Sequence, residues 1–272
     1  METAAAARAA ARGPVLRHGR GGAVIEQLLP ASVVTEAAYD DAVAPGEGLF
    51  PAEAELISRA VDKRRREFTT VRHLARRGLA RLGRPAAPIL PNRRGAPQWP
   101  EGVIGSMTHC VGYRGAALAP AGTTAGLGID AEPDGPLPDG VLQVVTLESE
   151  RARLAGLAAV RPDLHWERLL FSAKESVFKV WYPLMLRELD FSEAEIVVDP
   201  HDGTFTARLL VPGPVVAGRE VPAFTGRWGA GNGLVVTAIH LPGQPAAADP
   251  GPSGAAPPRA VREGEGTGAA AG

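Results

Sequence analysis

The chain has a single cysteine, Cys110, among its 272 residues. One thiol cannot form an internal disulfide or supply the paired cysteines of a structural zinc site, and it suits a reducing compartment. No segment approaches the roughly 18 consecutive apolar residues of a membrane-spanning helix. Residues 1–22 also lack the uninterrupted apolar core of a secretory signal. We therefore predict a cytoplasmic protein that does not associate with membranes.

Lysine is scarce as well. The chain holds only Lys63, Lys174 and Lys179, and arginine supplies the remainder of its 29 basic residues. The two cations differ in hydration and geometry, so a lysine in such a sequence is informative, and two of the three lie in one motif. The formal net charge of −1 excludes a polycation, so any basic binding surface must be local.

The two ends of the chain are compositionally biased. Residues 1–22 are rich in Ala, Arg and Gly, and residues 243–272 in Pro, Gly and Ala, so we predict two disordered tails. Between them, a helix accompanied by strands occurs twice, once on each side of about residue 134. This order predicts an α+β fold with a first half at 23–133 and a second half at 134–242.

Three predicted elements carry the candidate site. Apolar residues at helical spacing predict one long helix over residues 51–82, ended by Gly83. A strand is predicted over 123–131, stopped by Pro133. A second helix is predicted from about residue 163 to 181, ending before Pro183 because proline cannot continue the hydrogen-bond ladder.

Two acidic segments are the most informative feature present. Asp130 and Glu132 are two residues apart at the end of the predicted strand, so they point to the same side. Glu175 lies in the second helix, one turn before Lys179. Three carboxylates converging from a strand end and a helix would form an oxygen-rich site suited to Mg²⁺, and a nearby lysine suits a phosphorylated substrate.

Each segment also has a plainer interpretation. A carboxylate at a strand end before proline is often only a solvated turn, although Gly126 and Gly128 would let a ligand approach the backbone closely. The helix carries a polar stripe made of Arg168, Ser172, Glu175 and Lys179, which by itself could be a surface ion-pair row. Bulky apolar residues on both flanks indicate instead that the stripe borders a partly enclosed cleft.

The long helix is rich in arginine. Arg64 and Arg72 lie on nearly the same side of it, and a planar guanidinium can grip phosphate through two hydrogen bonds, so both could serve one polyanionic ligand. His109 follows a predicted strand. A lone histidine is more often a structural hydrogen-bonder, but a phosphate contact fits the neighbouring arginines.

These residues resemble the signature of the 4'-phosphopantetheinyl transferases, in particular the monomeric surfactin- and enterobactin-synthase type and its actinobacterial branch. The match covers about residues 50–241. It consists of Gly128-Ile129-Asp130-x-Glu132, Phe171-x-x-Lys174-Glu175-Ser176-x-x-Lys179, Lys63-Arg64-Arg65-Arg66-Glu67-Phe68-Thr69-x-Val71-Arg72, Pro88-Ile89-Leu90, and Trp99-Pro100 with Gly105-Ser106-Met107-Thr108-His109.

The resemblance implies a fold and a reaction. The fold is a pseudo-dimer of two similar α+β halves with the active site in the cleft between them. The reaction moves the 4'-phosphopantetheine arm of coenzyme A onto a serine of an apo acyl or peptidyl carrier protein and releases adenosine 3',5'-bisphosphate. Mg²⁺ is the implied cofactor, coenzyme A the co-substrate, and an acidic carrier domain the implied partner of a monomeric enzyme.

The resemblance also implies residue roles. Asp130, Glu132 and Glu175 would hold Mg²⁺, and Asp130, Glu175 and Lys179 would be the catalytic set, with Glu175 as the base for the serine hydroxyl. The implied coenzyme-binding residues are Arg64, Arg72, Arg94, Thr108, His109, Asp130, Glu175 and Lys179. In related sequences a lysine often follows the Pro-x-Leu segment, where this chain has Pro91. Arg93 or Arg94 would substitute for it.

Two alternatives come from other functional classes. A Mg²⁺-dependent phosphodiesterase or nuclease also uses acidic residues and a lysine, but usually two residues apart on one strand, whereas Glu175 and Lys179 are four apart. An arginine-rich nucleic-acid-binding module would use residues 59–81. The near-neutral net charge and the 5% aromatic content argue against that module, and we expect no nucleic-acid partner.

Overall fold

The computed structural model describes residues 24–243; the two predicted tails, apart from residue 243, lie outside the described residues. The α-helices are α1 Pro51–Leu56, α2 Asp62–Arg81, α3 Val141–Val145, α4 Glu148–Val160 and α5 Trp166–Met185. The strands are β1 Val34–Ala38, β2 Val103–Cys110, β3 Tyr113–Pro120, β4 Thr124–Pro133, β5 Ala194–Asp199, β6 Thr204–Leu209, β7 Val215–Val216, β8 Arg219–Glu220, β9 Ala223–Gly231 and β10 Leu234–Pro242. Short 3-10 helices occupy Val24–Gln27 and Phe191–Glu193. The predicted α+β class is confirmed.

The first sheet is antiparallel and has the order β1-β3-β2. Helix α2 lies across it and buries Leu74, Ala75 and Leu79 against strand residues that include Leu118. A side chain at Gly78 would stand 2.6 Å from Leu118, so this glycine lets the helix and β3 approach closely.

The second sheet has the order β4-β10-β9-β6-β5, and each neighbouring pair is antiparallel. Helix α5 covers one face of it. Trp166 and Trp181 of the helix are buried in one cluster with Trp228 of β9, and the rings of Trp166 and Trp228 meet edge to face at 5.2 Å. Large aromatic rings therefore fix α5 on this sheet.

The prediction of one helix over 51–82 is wrong. The chain forms α1 and α2 instead, with a turn at residues 57–61 that is closed by backbone bonds from Ser58 to Glu55 and from Ala60 to Ile57. The break lets α1 fold back, so that the buried Glu53 pairs with Arg76 at 2.9 Å. A tertiary ion pair has overridden a continuous helical pattern.

The predicted end of the second helix is also wrong. Helix α5 starts at Trp166 and runs through Pro183 to Met185. Pro183 stands in the last turn, where its missing N–H removes only one helical hydrogen bond. The helix ends instead at Leu186, whose φ of 51° lies in the left-handed region typical of helix C-termini.

Strand β4 connects the two predicted halves. It lies before residue 134, on the first-half side of the predicted division, yet its backbone hydrogen bonds pair it with β10 of the five-stranded sheet. The domain boundaries themselves stay a prediction. Within residues 24–243 no helix is both long and apolar enough to cross a bilayer.

Candidate active site

The two acidic segments meet because two glycines of β4 allow α5 to approach. A Cβ atom at Gly128 would collide with the backbone carbonyl oxygen of Ser176, and one at Gly126 would stand 2.9 Å from Val180. We expected these glycines to admit a ligand to the backbone. The structure corrects this at Gly128, where the helix itself occupies that space.

Hydroxyl groups also hold α5 on the sheet, through contacts with β10. Ser172 and Ser176 both lie buried against Thr237 of β10, with oxygen–oxygen distances of 3.0 and 2.7 Å. Thr237 stands opposite Asp130 in the β10–β4 register. Ser172 was predicted in the polar stripe facing the cleft, but it faces the sheet, where it holds the helix over the acidic strand.

Asp130 and Lys179 form the first charged pair of the site. The ammonium group of Lys179 donates to Asp130 Oδ1 at 2.8 Å and to the carbonyl oxygen of Ile129 at 3.0 Å. The second oxygen, Asp130 Oδ2, is buried and has no hydrogen-bond partner among the described residues. A buried carboxylate oxygen without a partner is costly, so this atom points to a missing ligand.

Glu132 and Arg168 form the second pair. Arg168 Nη1 lies 3.3 Å from Glu132 Oε2, and the same guanidinium donates to the backbone carbonyls of Gly135 and Pro136. Burial raises the pKa of Glu132 to about 7, and the neighbouring Asp130 carboxylate adds to the rise. Arg168 offsets only part of this effect.

Glu175 completes the acidic group from α5. Burial raises the pKa of its carboxyl; Lys179 opposes the rise, and Asp130 adds to it. A carboxylate whose pKa is raised by burial holds a proton more readily than an exposed one. Glu175 is therefore the candidate proton acceptor of this group.

The donor set fits a hard divalent cation. Carboxylate oxygens are the ligands that Mg²⁺ prefers, Asp130 Oδ2 has no hydrogen-bond partner among the described residues, and burial raises the pKa values of Glu132 and Glu175. Across residues 24–243, no three His, Cys, Asp or Glu side chains form a ready-made metal cage. Lys179 binds Asp130 Oδ1 and Arg168 binds Glu132, so a metal could use Asp130 Oδ2 directly but would have to share or displace Arg168 at Glu132. The Mg²⁺ site stays a prediction that the donor chemistry fits.

Beside these carboxylates lies a cavity of about 510 Å³, called here the central cavity. Its walls come from both sides of the molecule. Its basic lining consists of Arg64, Arg72, Arg94, His109 and Lys179, and its large apolar lining includes Phe68, Trp99, Phe178 and Tyr182. Glu175 also lines it. A cavity with this composition suits an anionic ligand that also carries an apolar surface.

Arg72 is the most telling residue of the basic wall. Its guanidinium stacks on the Phe68 ring at 3.9 Å and donates to the carbonyl oxygen of Ile89 at 3.2 Å. Burial lowers its pKa to about 10. No carboxylate within residues 24–243 forms an ion pair with it, although the more distant Glu53 favours its charged form. A half-buried guanidinium therefore lines the cavity without an ion-pair partner.

His109 lies between two charged neighbours. Arg64 Nη1 is 2.8 Å from His109 Nε2, and Glu67 is 3.7 Å from His109 Nδ1. Burial and the Arg64 guanidinium lower the pKa of His109. The imidazole is therefore neutral at pH 7, with Nε2 accepting from Arg64 and the Nδ1 proton directed at Glu67.

Three other predicted residues are placed as follows. Arg94 and Pro91 both line the central cavity. The guanidinium of Arg94 lies 3.2 Å from Glu188. Arg93 is exposed and is not part of the lining. Thr108 is buried behind Asp130 and donates to its Oδ1 at 3.2 Å.

Lys174, the other lysine of the motif, does not line the central cavity. It is buried, forms an ion pair with Glu150 at 2.9 Å, and donates to the carbonyl oxygens of Phe191 and Ala194. Its role is to tie α5 to α4 and to the start of β5. Lys174 directly precedes Glu175 in the chain, so helical geometry turns its side chain about 100° away from that carboxylate.

Sequence reasoning missed the aromatic part of the cavity. Phe178 and Tyr182 lie three and seven residues after Glu175, and their rings pack against each other at 5.6 Å. Helical spacing from Glu175 places both on its side of α5, so the signal was present in the sequence. Trp99 had no comparable signal because it stands outside helices and strands.

Two protein-family models match adjoining parts of the chain. The model of the 4'-phosphopantetheinyl transferase N-terminal domain matches residues 52–119, and the model of the 4'-phosphopantetheinyl transferase superfamily matches residues 126–228. This two-part match is consistent with the predicted pseudo-dimer. The second match begins inside β4 and ends in β9, so it covers the carboxylates and α5.

Three curated proteins are similar over most of their length. The chain is 66% identical over 219 residues to the 4'-phosphopantetheinyl transferase Svp of Streptomyces mobaraensis, covering 80% of this chain and 89% of that protein. It is 44% identical over 226 residues to PptT of Mycobacterium tuberculosis, covering 81% and 99%. It is 45% identical over 224 residues to Npt of Nocardia iowensis, covering 79% and 99%; both carry the same enzyme name.

Proposed function

This chain belongs to the 4'-phosphopantetheinyl transferase family, and on that premise we propose a role for each charged side chain around the central cavity. The enzyme transfers the 4'-phosphopantetheine moiety of coenzyme A to carrier proteins. Family membership favours this activity over the phosphodiesterase or nuclease alternative. One observation supports the residue roles above all: Arg72, which forms no ion pair within residues 24–243, and the Glu175 carboxylate line the same cavity.

The basic wall would bind the phosphates of coenzyme A. Arg72 is half-buried and forms no ion pair with a carboxylate in the described part of the chain, so the phosphate on the adenosine side would supply a counter-charge. Arg64 and His109 lie beside it and would complete that contact. Arg94, which lines the cavity where Arg93 does not, would take the place of the family lysine at Pro91.

Asp130, Glu132 and Glu175 would hold Mg²⁺ next to the diphosphate. A bound Mg²⁺ ion would neutralise charge that develops on the leaving phosphate. The protein supports this assignment with the bare oxygen of Asp130 and with carboxylates whose pKa values are raised by burial. Lys179 contacts Asp130 and also lines the cavity, so its ammonium would move between the carboxylate and the diphosphate.

Glu175 would act as the base. The serine oxygen of the carrier forms a bond to the phosphorus that bears the pantetheine, the bond from that phosphorus to the bridging oxygen breaks, and adenosine 3',5'-bisphosphate leaves. The serine proton passes to Glu175, whose pKa burial raises toward the working pH. The remaining contribution of the protein is positioning and charge neutralisation.

The partner would be an acidic acyl or peptidyl carrier domain. Lys63, Arg64 and Arg66 are exposed at the start of α2, and Arg64 also lines the central cavity. This basic surface would steer an acidic domain toward the cavity, with an association rate that falls as salt rises. We also propose a cytoplasmic monomer, since one chain supplies both walls of the cavity.

A mass-spectrometric transfer assay tests the function. The full chain, coenzyme A, Mg²⁺ and a panel of apo carrier domains should give a mass gain of one phosphopantetheine on at least one carrier. The panel should include fatty-acid, polyketide, peptide and siderophore carriers. A transferase of known activity, run in parallel, shows that each carrier is competent. No gain on any carrier that this control modifies would contradict the proposal.

A further inference from the structure

Strands β2 and β4 belong to different sheets, and side-chain hydroxyls of β2 connect them. Ser106 Oγ accepts from the amide of Ile129 at 3.1 Å, and Thr108 Oγ1 accepts from the amide of Ala131 at 3.2 Å. Both hydroxyls are buried. The side chains thus replace the backbone ladder that would otherwise join these strands, and they do so on both sides of Asp130.

Only one of these hydroxyls also touches the carboxylate. Thr108 donates its proton to Asp130 Oδ1 at 3.2 Å, and Lys179 donates to the same oxygen at 2.8 Å. Asp130 Oδ2 is buried and has no partner within residues 24–243. The two oxygens of this carboxylate are therefore unequal, because one accepts from two donors and the other is left bare.

We propose that Thr108 is a positioning residue for the metal site: its hydroxyl anchors Asp130 Oδ1 and thereby directs Oδ2 toward the divalent cation. The inference rests on the proposed function, in which Asp130 is a metal ligand. Donors on the second oxygen of a ligating carboxylate fix its orientation, and their removal typically weakens metal binding by about 10- to 100-fold.

This role differs from a coenzyme contact. A threonine hydroxyl has one proton, and here that proton is directed at Asp130 while an oxygen lone pair accepts from Ala131. A phosphate group needs a donor, and the hydroxyl of Thr108 has no second proton to offer. With 4% of its surface exposed, Thr108 also lies behind the carboxylate and outside the lining of the central cavity.

The experiment compares three variants in the full chain. Thr108→Val keeps the shape and loses both hydrogen bonds, and Thr108→Ser keeps both. Ser106→Ala loses the same kind of strand contact without touching Asp130. Two readouts are needed: Mn²⁺ binding, from the free-ion signal in electron paramagnetic resonance at saturating coenzyme A, and coenzyme A affinity by calorimetry in EDTA.

We expect Thr108→Val to weaken Mn²⁺ binding about tenfold or more and to leave coenzyme A affinity in EDTA within about twofold of the parent, given that the hydroxyl has no contact with the cavity. Thr108→Ser should restore Mn²⁺ binding. Ser106→Ala should lower the melting temperature to a similar extent with Mn²⁺ binding retained, which separates the loss of a strand contact from the loss of positioning.

Three results would overturn the inference. Loss of coenzyme A affinity with unchanged Mn²⁺ binding in Thr108→Val would make the hydroxyl a coenzyme contact. Equal weakening of Mn²⁺ binding in Ser106→Ala would make the effect one of general strand packing. An absence of Mn²⁺ binding in the parent protein would remove the metal assignment itself, a failure of the proposed function that is visible before any variant is compared. If Thr108→Val does not fold by circular dichroism, Thr108→Ala takes its place.

Discussion

The two walls of the central cavity treat their charges differently. On the wall from α2 and β2, Arg72 is half-buried and forms no ion pair with a carboxylate among residues 24–243, and His109 is neutral. On the side of β4 and α5, Glu175 lines the cavity, while Asp130 and Glu132 lie outside its lining and are each held by a cation of the protein, Lys179 and Arg168.

The contrast indicates what each wall is suited to receive. The basic wall can bind an anion directly, because a phosphate would supply a counter-charge to Arg72, which is partly shielded from water. The acidic wall is balanced internally, so a metal must displace or share cations that are already in place. Anion binding and metal binding can therefore be altered separately, each by substitutions on its own wall.

The largest effect should come from the acidic wall. Asp130→Asn keeps the shape but removes the charge, and we expect the transfer rate to fall about 10³-fold, the upper range for losing one electrostatic group at a reacting centre. The rate is measured by mass spectrometry of the carrier. Coenzyme A affinity in EDTA is the control and should stay close to that of the parent. A rate within tenfold of the parent would contradict the metal assignment.

The next effect separates the two motif lysines. Lys174→Met leaves Glu150 buried without its partner, so we expect the free energy of unfolding to fall by about 3–5 kcal/mol, measured by denaturant titration. Replacing both partners, with Glu150→Leu, should recover much of this loss. Lys179→Met should instead act mainly on transfer, since its side chain is 26% exposed. Equal destabilisation by the two lysine variants would refute the distinction.

The basic wall should give an effect on binding alone. Arg72→Met should raise the Kd for coenzyme A about 10- to 100-fold, because a hydrogen bond to a charged group contributes roughly 1.5–3 kcal/mol. Without ligand, the stability of the variant should change little, because the contacts of Arg72 with Phe68 and the Ile89 carbonyl oxygen are lost together with a half-buried charge that has no ion-pair partner within residues 24–243. Arg66→Met is the matched control on the same helix, where the pair with Asp62 is exposed. Similar Kd values for both variants would remove Arg72 from the site.

The smallest effect concerns pH and His109. Burial and Arg64 lower the pKa of this histidine in the free protein, and a bound phosphate would raise it. Binding then takes up a proton, and between the two pKa values the affinity for coenzyme A should fall about tenfold for each unit of rising pH. Calorimetry across pH measures this, and His109→Gln should flatten the profile. An unchanged slope in that variant would exclude the histidine.

Much of this arrangement could be predicted from sequence. The Asp130-x-Glu132 spacing within a strand and the Glu175-to-Lys179 turn of a helix are local patterns, and the structure brings Asp130 to Lys179 as a hydrogen-bonded pair. The strand predicted over 123–131 is confirmed as β4. Local periodicity is enough to predict an element when its buried residues recur with the period of a helix or a strand.

The remainder depends on contacts between distant segments. No local pattern shows that Glu53 bends α1 back onto Arg76, that Pro183 falls late enough to be tolerated, or that Lys174 is buried against Glu150. The same applies to the hydrogen bond from Thr108 to Asp130, because the two residues are 22 apart along the chain.

The hydroxyls of Ser106 and Thr108, which accept hydrogen bonds from backbone amides of β4, have a consequence for how the two sheets are aligned. A continuous ladder of backbone hydrogen bonds would tolerate the loss of any one bond. Here the side chains of Ser106 and Thr108 hold one sheet against the other through one hydrogen bond each. If the sheets slipped by one residue, both hydroxyls would face the wrong amides, and Asp130 Oδ1 would lose the hydrogen bond from Thr108. The alignment of the two sheets therefore also fixes the orientation of the Asp130 carboxylate.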